Sequence, residues 1–189
     1  HRTSSIVRFI GHFKCQQHLC LVFPKLSINF YFLIKKNGYR GFHPSFVRLF
    51  VVQIVHALMI LYMANVIHTD LKPENILLEN SHSWKIYVID LGSACKDGKT
   101  TYHYIQSRFY RAPEVVLGCG YSKPIDIWSL GCIVAELLLG LPLFPAKNEF
   151  TLLHRIEKII GVIPQNIINK LKRNKTFFCL TNENNNNNN

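Results

Sequence analysis

Within Asp70-Leu71-Lys72-Pro73-Glu74-Asn75 a carboxylate, an ammonium and an amide fall close together, and Asp90-Leu91-Gly92 begins 20 residues after Asp70. Moving a phosphoryl group from a nucleotide to a hydroxyl needs a carboxylate to orient the acceptor. It also needs hard oxygen ligands that hold Mg²⁺ across the phosphates. Asp70 can supply the first. In an extended chain Lys72 points to the same side as Asp70, where its charge can neutralise the moving group. Asn75 and Asp90 would bring amide and carboxylate oxygens to the metal, and Gly92 lets the backbone turn away after Asp90. Taken singly, each residue has a plainer reading. Asp-x-Lys is usually a surface ion pair, Asn before an apolar run is often a turn residue, and Asp near Gly marks many turns. The joint spacing decides: the four set residues of D-x-K-P-x-N arise by chance in such a chain on the order of once in a thousand.

These residues need a scaffold, and the chain reads as one. Residues 7–13 and 18–23 look like two short strands, the second closed by Pro24. A short helix is expected over 28–36, ended by Asn37-Gly38. A long helix over 44–64 has apolar residues all round its axis, which predicts a central, buried element. Residues 76–78 and 86–89 read as small paired strands that carry Asn75 and Asp90 at their ends. Residues 100–113 are loop-like, aromatic and basic, and two further helices are expected over 126–139 and 148–160. The last is amphipathic, with Phe150, Leu153, Ile156, Glu157 and Ile160 near helical spacing. Beyond Pro164 the chain is basic, and the asparagine tract 184–189 cannot bury a core, so 166–189 is expected to be a disordered tail.

The chain has 189 residues, 48% hydrophobic and 17% charged, with a formal net charge of +11. That is one domain's worth of globular composition, and it excludes a wholly disordered chain. The six cysteines form no C-x-x-C pair and have no zinc spacing with histidine, so reduced thiols in cytoplasm or nucleus are expected. Residues 49–67 form a run of 19 without a formal charge, long enough to cross a bilayer. Gln53, His56 and Asn65 interrupt it and a polar segment follows at once, so a buried helix outranks a membrane span. The first residue is His1 rather than Met, and a fragment or partial gene model is expected.

Together with Ala112-Pro113-Glu114, the two chemical clusters resemble a protein-kinase catalytic loop and metal loop. From His1 to about Ile160 the chain resembles the large, C-terminal lobe of a protein kinase. More closely it is similar to the dual-specificity tyrosine-regulated (DYRK) family, especially its Yak-like branch. The segments 102–114 (Y-H-Y-I-Q-S-R-F-Y-R-A-P-E), 128–137 (W-S-L-G-C-I-V-A-E-L) and Leu141-Pro142-Leu143-Phe144-Pro145 carry that similarity. The resemblance implies an α+β, protein-kinase-like fold: the end of the small lobe's sheet and the hinge over 1–26, then the helical lobe over 27–165. It implies a serine/threonine, dual-specificity kinase that transfers the γ-phosphoryl group of ATP, with Mg²⁺, to protein hydroxyls. Asp70 would be the catalytic base, Lys72 the cation that stabilises transfer, and Asn75 and Asp90 the metal ligands. Leu77 would form the floor under adenine, with the hinge backbone around Phe23, Lys25 and Leu26 bonding the base. Tyr104 would be the self-phosphorylated tyrosine, with Arg108 and Arg111 placed to receive its phosphate. Asp126 would anchor the catalytic-loop backbone near His68; a plain helix N-cap fits the sequence equally.

The departures are specific. No glycine-rich phosphate loop, V-A-I-K-type lysine or helix glutamate of the small lobe occurs in these residues, so the chain alone is expected to be inactive. Thr69 stands where many kinases have Arg and this family usually Cys. Leu91 replaces the usual Phe, and Pro24 removes a hinge N–H. A catalytically dead kinase-like scaffold, or a gene-model fragment, is therefore the alternative. Nucleic-acid binding is not expected, because the positive charge is spread over many segments and no RNP or zinc motif accompanies it. Nor is a membrane partner; the expected partners are protein substrates bearing Ser or Thr.

Overall fold

The computed structural model describes residues 5–100, 102 and 104–163. The tail expected over 166–189 lies outside the described residues. The first strands are β1 (Gly11–Cys15) and β2 (His18–Val22), an antiparallel hairpin in which Cys15 faces His18. Its two-residue turn, Gln16-Gln17, has positive φ at both positions, as a right-twisted hairpin requires. The expected strand 7–13 therefore begins later than its apolar residues suggested. The segment before it is used elsewhere: Val7 donates its N–H to the Val88 carbonyl, so this stretch runs beside a strand further along the chain.

The short helix α1 (Phe30–Lys36) starts two residues after the sequence expectation. Asn29 accounts for this, because its side chain accepts the Phe32 N–H and caps the helix from outside. Ile28 lies outside as well, its carbonyl accepting the Leu78 N–H. Helix α2 (Pro44–Met63) matches its expected span, but it is not buried all round. Val47, Phe50, Ile54, Ala57, Leu58 and Leu61 form one buried stripe at helical spacing. Val52, Met59, Tyr62 and Met63 are exposed. Val55, Met59 and Tyr62 border a groove of about 880 Å³ shared with Ile127 and Trp128, so the apolar composition serves two faces of different character. Gln53 interrupts the run for a reason: its amide donates to the Trp84 carbonyl and accepts the Ile86 N–H, tying α2 to a strand.

That strand belongs to the hairpin of β4 (Ile76–Leu78) and β5 (Ile86–Val88), antiparallel with Leu77 opposite Tyr87. A second small ladder joins β3 (Val66–Ile67) to β6 (Cys95–Lys96). Both pairings matter for the site, because they bracket Asp70 and Asp90. Helix α3 (Pro113–Leu117) is followed by α4 (Pro124–Leu139) and α5 (Glu149–Ile160). In α5 the buried face is Leu152, Leu153 and Ile156, while Phe150 and Ile160 are exposed, a correction to the expected apolar face.

Helices α2 and α4 share the main core with the β4–β5 hairpin. Phe30, Phe50, Ile54, Ile76, Ile86 and Ile133 are all essentially inaccessible there, and each contributes roughly 1.5–3 kcal/mol by burial. One backbone clasp fixes the chain entering α2 against the end of α4. Phe42 donates its N–H to the Leu137 carbonyl at 2.8 Å. Gly41 lies so close to the Leu138 carbonyl, and Gly140 (φ +85°) to the Tyr39 carbonyl, that a Cβ at either would overlap backbone.

Candidate active site

Strand β3 ends at Ile67, and the next three residues are held by backbone and side-chain bonds from three directions. Asp126, near the start of α4 and buried, accepts the His68 N–H at 2.8 Å and the Thr69 N–H at 3.1 Å. The N-cap position of α4 is Lys123, so the alternative reading of Asp126 as a plain cap does not hold. Burial pushes the Asp126 carboxyl above the ordinary aspartate range, against the pull of these two N–H bonds. The His68 ring bridges the next loop. Its Nδ1 accepts the Asp70 N–H at 3.3 Å and its Nε2 lies 3.0 Å from the Ile89 carbonyl, which assigns the donor role to Nε2.

Asp70 and Lys72 come together, as their spacing suggested. The Lys72 ammonium donates to Asp70 Oδ2 at 2.6 Å, with about a fifth of each side chain accessible. Ser107, absent from the sequence expectations, completes the cluster. Its N–H and hydroxyl donate to Asp70 Oδ1 at 3.0 and 2.8 Å, and its oxygen accepts from Lys72 at 3.1 Å. No local signal could have revealed Ser107, because it lies 37 residues from Asp70.

Asn75 is buried, and its NH₂ donates to the Asp70 carbonyl at 2.9 Å, which leaves its Oδ1 end for a cation. The Ile89 N–H donates to the Asn75 carbonyl at 3.0 Å, so the residue before Asp90 is tied to the residue before β4. Asp90 itself sits at φ +64°, and its Oδ1 accepts the Gly92 N–H at 3.2 Å. Among the described residues no three His, Cys, Asp or Glu side chains gather as a metal cluster. A site of one amide and one carboxylate oxygen still fits Mg²⁺, which keeps several waters and takes its remaining ligands from phosphates.

Asp90, Leu91 and Gly92 line one wall of a cavity of about 620 Å³; Phe23, Leu26 and Leu77 line others. Leu21 and Phe9, which carried no sequence signal, border it too. Lys25 is exposed and is not among the lining residues. The cavity is apolar apart from the Asp90 end, the general character of a small-molecule site.

The segment after Asp90-Leu91-Gly92 is pinned by Gln106, whose N–H donates to the Thr69 carbonyl at 2.9 Å and whose amide reaches Ile125 and Ser129. Arg111 is buried. It gives two N–H groups to the Gln106 carbonyl and pairs with Glu149 at 3.0 Å. Its guanidinium lies 4.0 Å from the centre of the exposed Tyr104 ring. A hydrogen bond and charge from Arg111, then a smaller share from Arg108, draw the Tyr104 phenol below its ordinary value. Arg108 also donates to the Lys147 carbonyl at 2.8 Å. Tyr104, Arg108 and Arg111 therefore lie together.

The family model for the protein kinase domain matches residues 1–184. A probable serine/threonine-protein kinase, yakA, of Dictyostelium discoideum is 49% identical over 173 residues, covering 92% of this chain and 12% of the relative. The serine/threonine-protein kinase ppk15 of Schizosaccharomyces pombe is 51% identical over 173 residues, 92% of this chain and 32% of its own. The dual specificity protein kinase YAK1 homolog of Arabidopsis thaliana is 52% identical over 178 residues, 93% and 19% respectively. The chain thus spans a third or less of the length of these curated relatives. A match running over nearly all of its residues places this chain in the protein kinase family.

Proposed function

We propose that this chain is the large lobe and hinge of a Mg²⁺-dependent protein kinase of the Yak-like, dual-specificity kind. It moves the γ-phosphoryl group of ATP to Ser and Thr hydroxyls of protein substrates. The observation that carries this reading is the cluster of Asp70, Lys72 and Ser107, joined through Asn75 to the loop that bears Asp90. Asp70 Oδ1 orients the acceptor hydroxyl and takes its proton as the oxygen bonds to phosphorus and the bond to the leaving ADP oxygen breaks. Ser107 Oγ, 2.8 Å from Oδ1, has the placement such a hydroxyl needs. Lys72 neutralises charge on the moving group from the same side. Asn75 and Asp90 would hold Mg²⁺, which would supply charge compensation to the phosphate oxygens. Phe23, Leu26 and Leu77 take the base. The described cysteines are all free, Cys15 and Cys119 exposed among them, which supports action in a reducing compartment, cytoplasm or nucleus.

The natural protein carrying this chain should label a Ser/Thr peptide from γ-labelled ATP with Mg²⁺. EDTA should stop the labelling, and excess Mg²⁺ should restore it. No labelling with Mg²⁺ present would overturn the reading.

Tyr104 belongs to the same proposal as the site of self-phosphorylation. The phosphate adds about −1.5 to −2 charge beside Arg111 and Arg108. One charge-assisted bond of about 1.5 kcal/mol is worth roughly tenfold, so Tyr104→Phe should lower peptide phosphorylation by about that factor. A rate equal to that of the unaltered protein removes Tyr104 from the scheme.

A further inference from the structure

Thr69 combines features that a filler residue would not. It is 1% exposed and sits at φ +69°, the left-handed region. Seven non-glycine residues among those described have positive φ, and Thr69 is the β-branched member of that set. A branched Cβ makes that conformation unfavourable, and such strain persists only where surrounding structure imposes it. Glycine or asparagine would relieve it.

The surroundings of Thr69 explain what the strain secures. Its N–H is held by Asp126 at 3.1 Å, and its carbonyl accepts the Gln106 N–H at 2.9 Å. These backbone bonds are open to any residue. The side chain adds a third, in which Oγ1 donates to the Ser93 carbonyl at 2.8 Å. Ser93 closes the metal loop just past Asp90-Leu91-Gly92, where the Ala94 N–H turns back to the Leu91 carbonyl at 3.1 Å. On the other side of that loop, His68 Nε2 meets the Ile89 carbonyl at 3.0 Å. Two adjacent side chains thus grip the carbonyls on either side of Asp90.

We propose that Thr69 is a positioning residue: its hydroxyl holds the metal loop at Ser93 and so fixes the Asp90 carboxylate relative to Asn75 and Asp70. This rests on the kinase reading above, in which Asp90 and Asn75 are the ligands of Mg²⁺. Groups that orient metal ligands typically alter metal affinity or activity by 10–100-fold when removed.

The test uses the natural protein carrying this chain and a fluorescent ATP analogue, titrated at increasing Mg²⁺. Thr69→Val removes the hydroxyl and keeps the shape. Thr69→Gly removes it while accepting φ +69° without strain, so the loop still folds. Both should need about tenfold more Mg²⁺ for half-maximal analogue binding. Analogue binding in EDTA and the KM for the acceptor peptide should stay at the levels of the unaltered protein. Thr69→Ser, with its hydroxyl restored, should recover the original Mg²⁺ requirement. If Thr69→Gly or Thr69→Val binds with unaltered Mg²⁺ dependence, Thr69 is no positioning residue, while the kinase reading stands. If the unaltered protein binds the analogue without regard to Mg²⁺, the kinase reading fails and this proposal with it.

Discussion

Asp70→Asn should lower the turnover of the protein carrying this chain by about 10²–10⁴-fold, the usual contribution of a positioned general base. The substitution preserves the shape of the side chain, and its carbonyl oxygen can still accept the Ser107 N–H that now reaches Oδ1 at 3.0 Å. What it removes is the ability to take a proton and the charge that holds Lys72 at 2.6 Å. An amide NH₂ would face the Lys72 ammonium, donor against donor, and the lysine would lose its fixed place beside the transferred group. The loss should therefore appear in kcat, with nucleotide affinity near that of the unaltered protein, because Asp70 does not line the cavity assigned to the nucleotide. Steady-state rates on a Ser/Thr peptide, with analogue binding measured in parallel, separate these effects. A kcat within tenfold of the unaltered protein would mean that the acceptor proton goes elsewhere.

How much of this was legible in the chain depends on the distance over which each feature acts. Asp70, Lys72 and Asn75 are close in sequence, and their geometry follows from an extended segment entering the turn at Pro73–Asn75. Asp90 was legible because a short hairpin, β4–β5, returns the chain to Asn75. Ser107, Gln106 and the Thr69 hydroxyl act across 23 to 37 residues, and no local pattern encodes such meetings. Asp126 lies between these cases: a carboxylate at a helix start is visible in sequence, but its bonds to His68 and Thr69 cross 58 and 57 residues. Composition misled once. The apolar run of α2 suggested burial on all sides, whereas one flank forms the core and another borders an open groove. Composition reports how much apolar surface a helix carries, not which neighbours cover it. In α5, Phe150 had the right type but lies on the outward face next to the Asn148 cap, so Leu152 takes its place in the core.

Asp126→Ala should be the most destabilising change at the site. The carboxylate is 4% exposed and is the acceptor for two N–H groups, those of His68 and Thr69. Truncation leaves both without that partner, at about 1–3 kcal/mol for each buried donor, out of a typical total stability of about 5–15 kcal/mol. Asp126→Asn keeps one acceptor oxygen and turns its NH₂ toward the other N–H, so it should cost about half as much. Urea unfolding at neutral pH would order the variants as Asp, Asn, Ala. An alanine variant destabilised by less than about 1 kcal/mol would show that the loop holds itself without α4. The pH dependence gives an independent check. Because burial raises the Asp126 pKa in the folded chain, the folded state holds a proton that the unfolded chain releases at the ordinary aspartate value. The stability linked to that proton is complete below the ordinary value and declines as pH rises through the raised one. Asp126→Asn removes the titrating group and should flatten that decline. Equal slopes for the two proteins would mean that Asp126 titrates normally and that its two N–H bonds outweigh its burial.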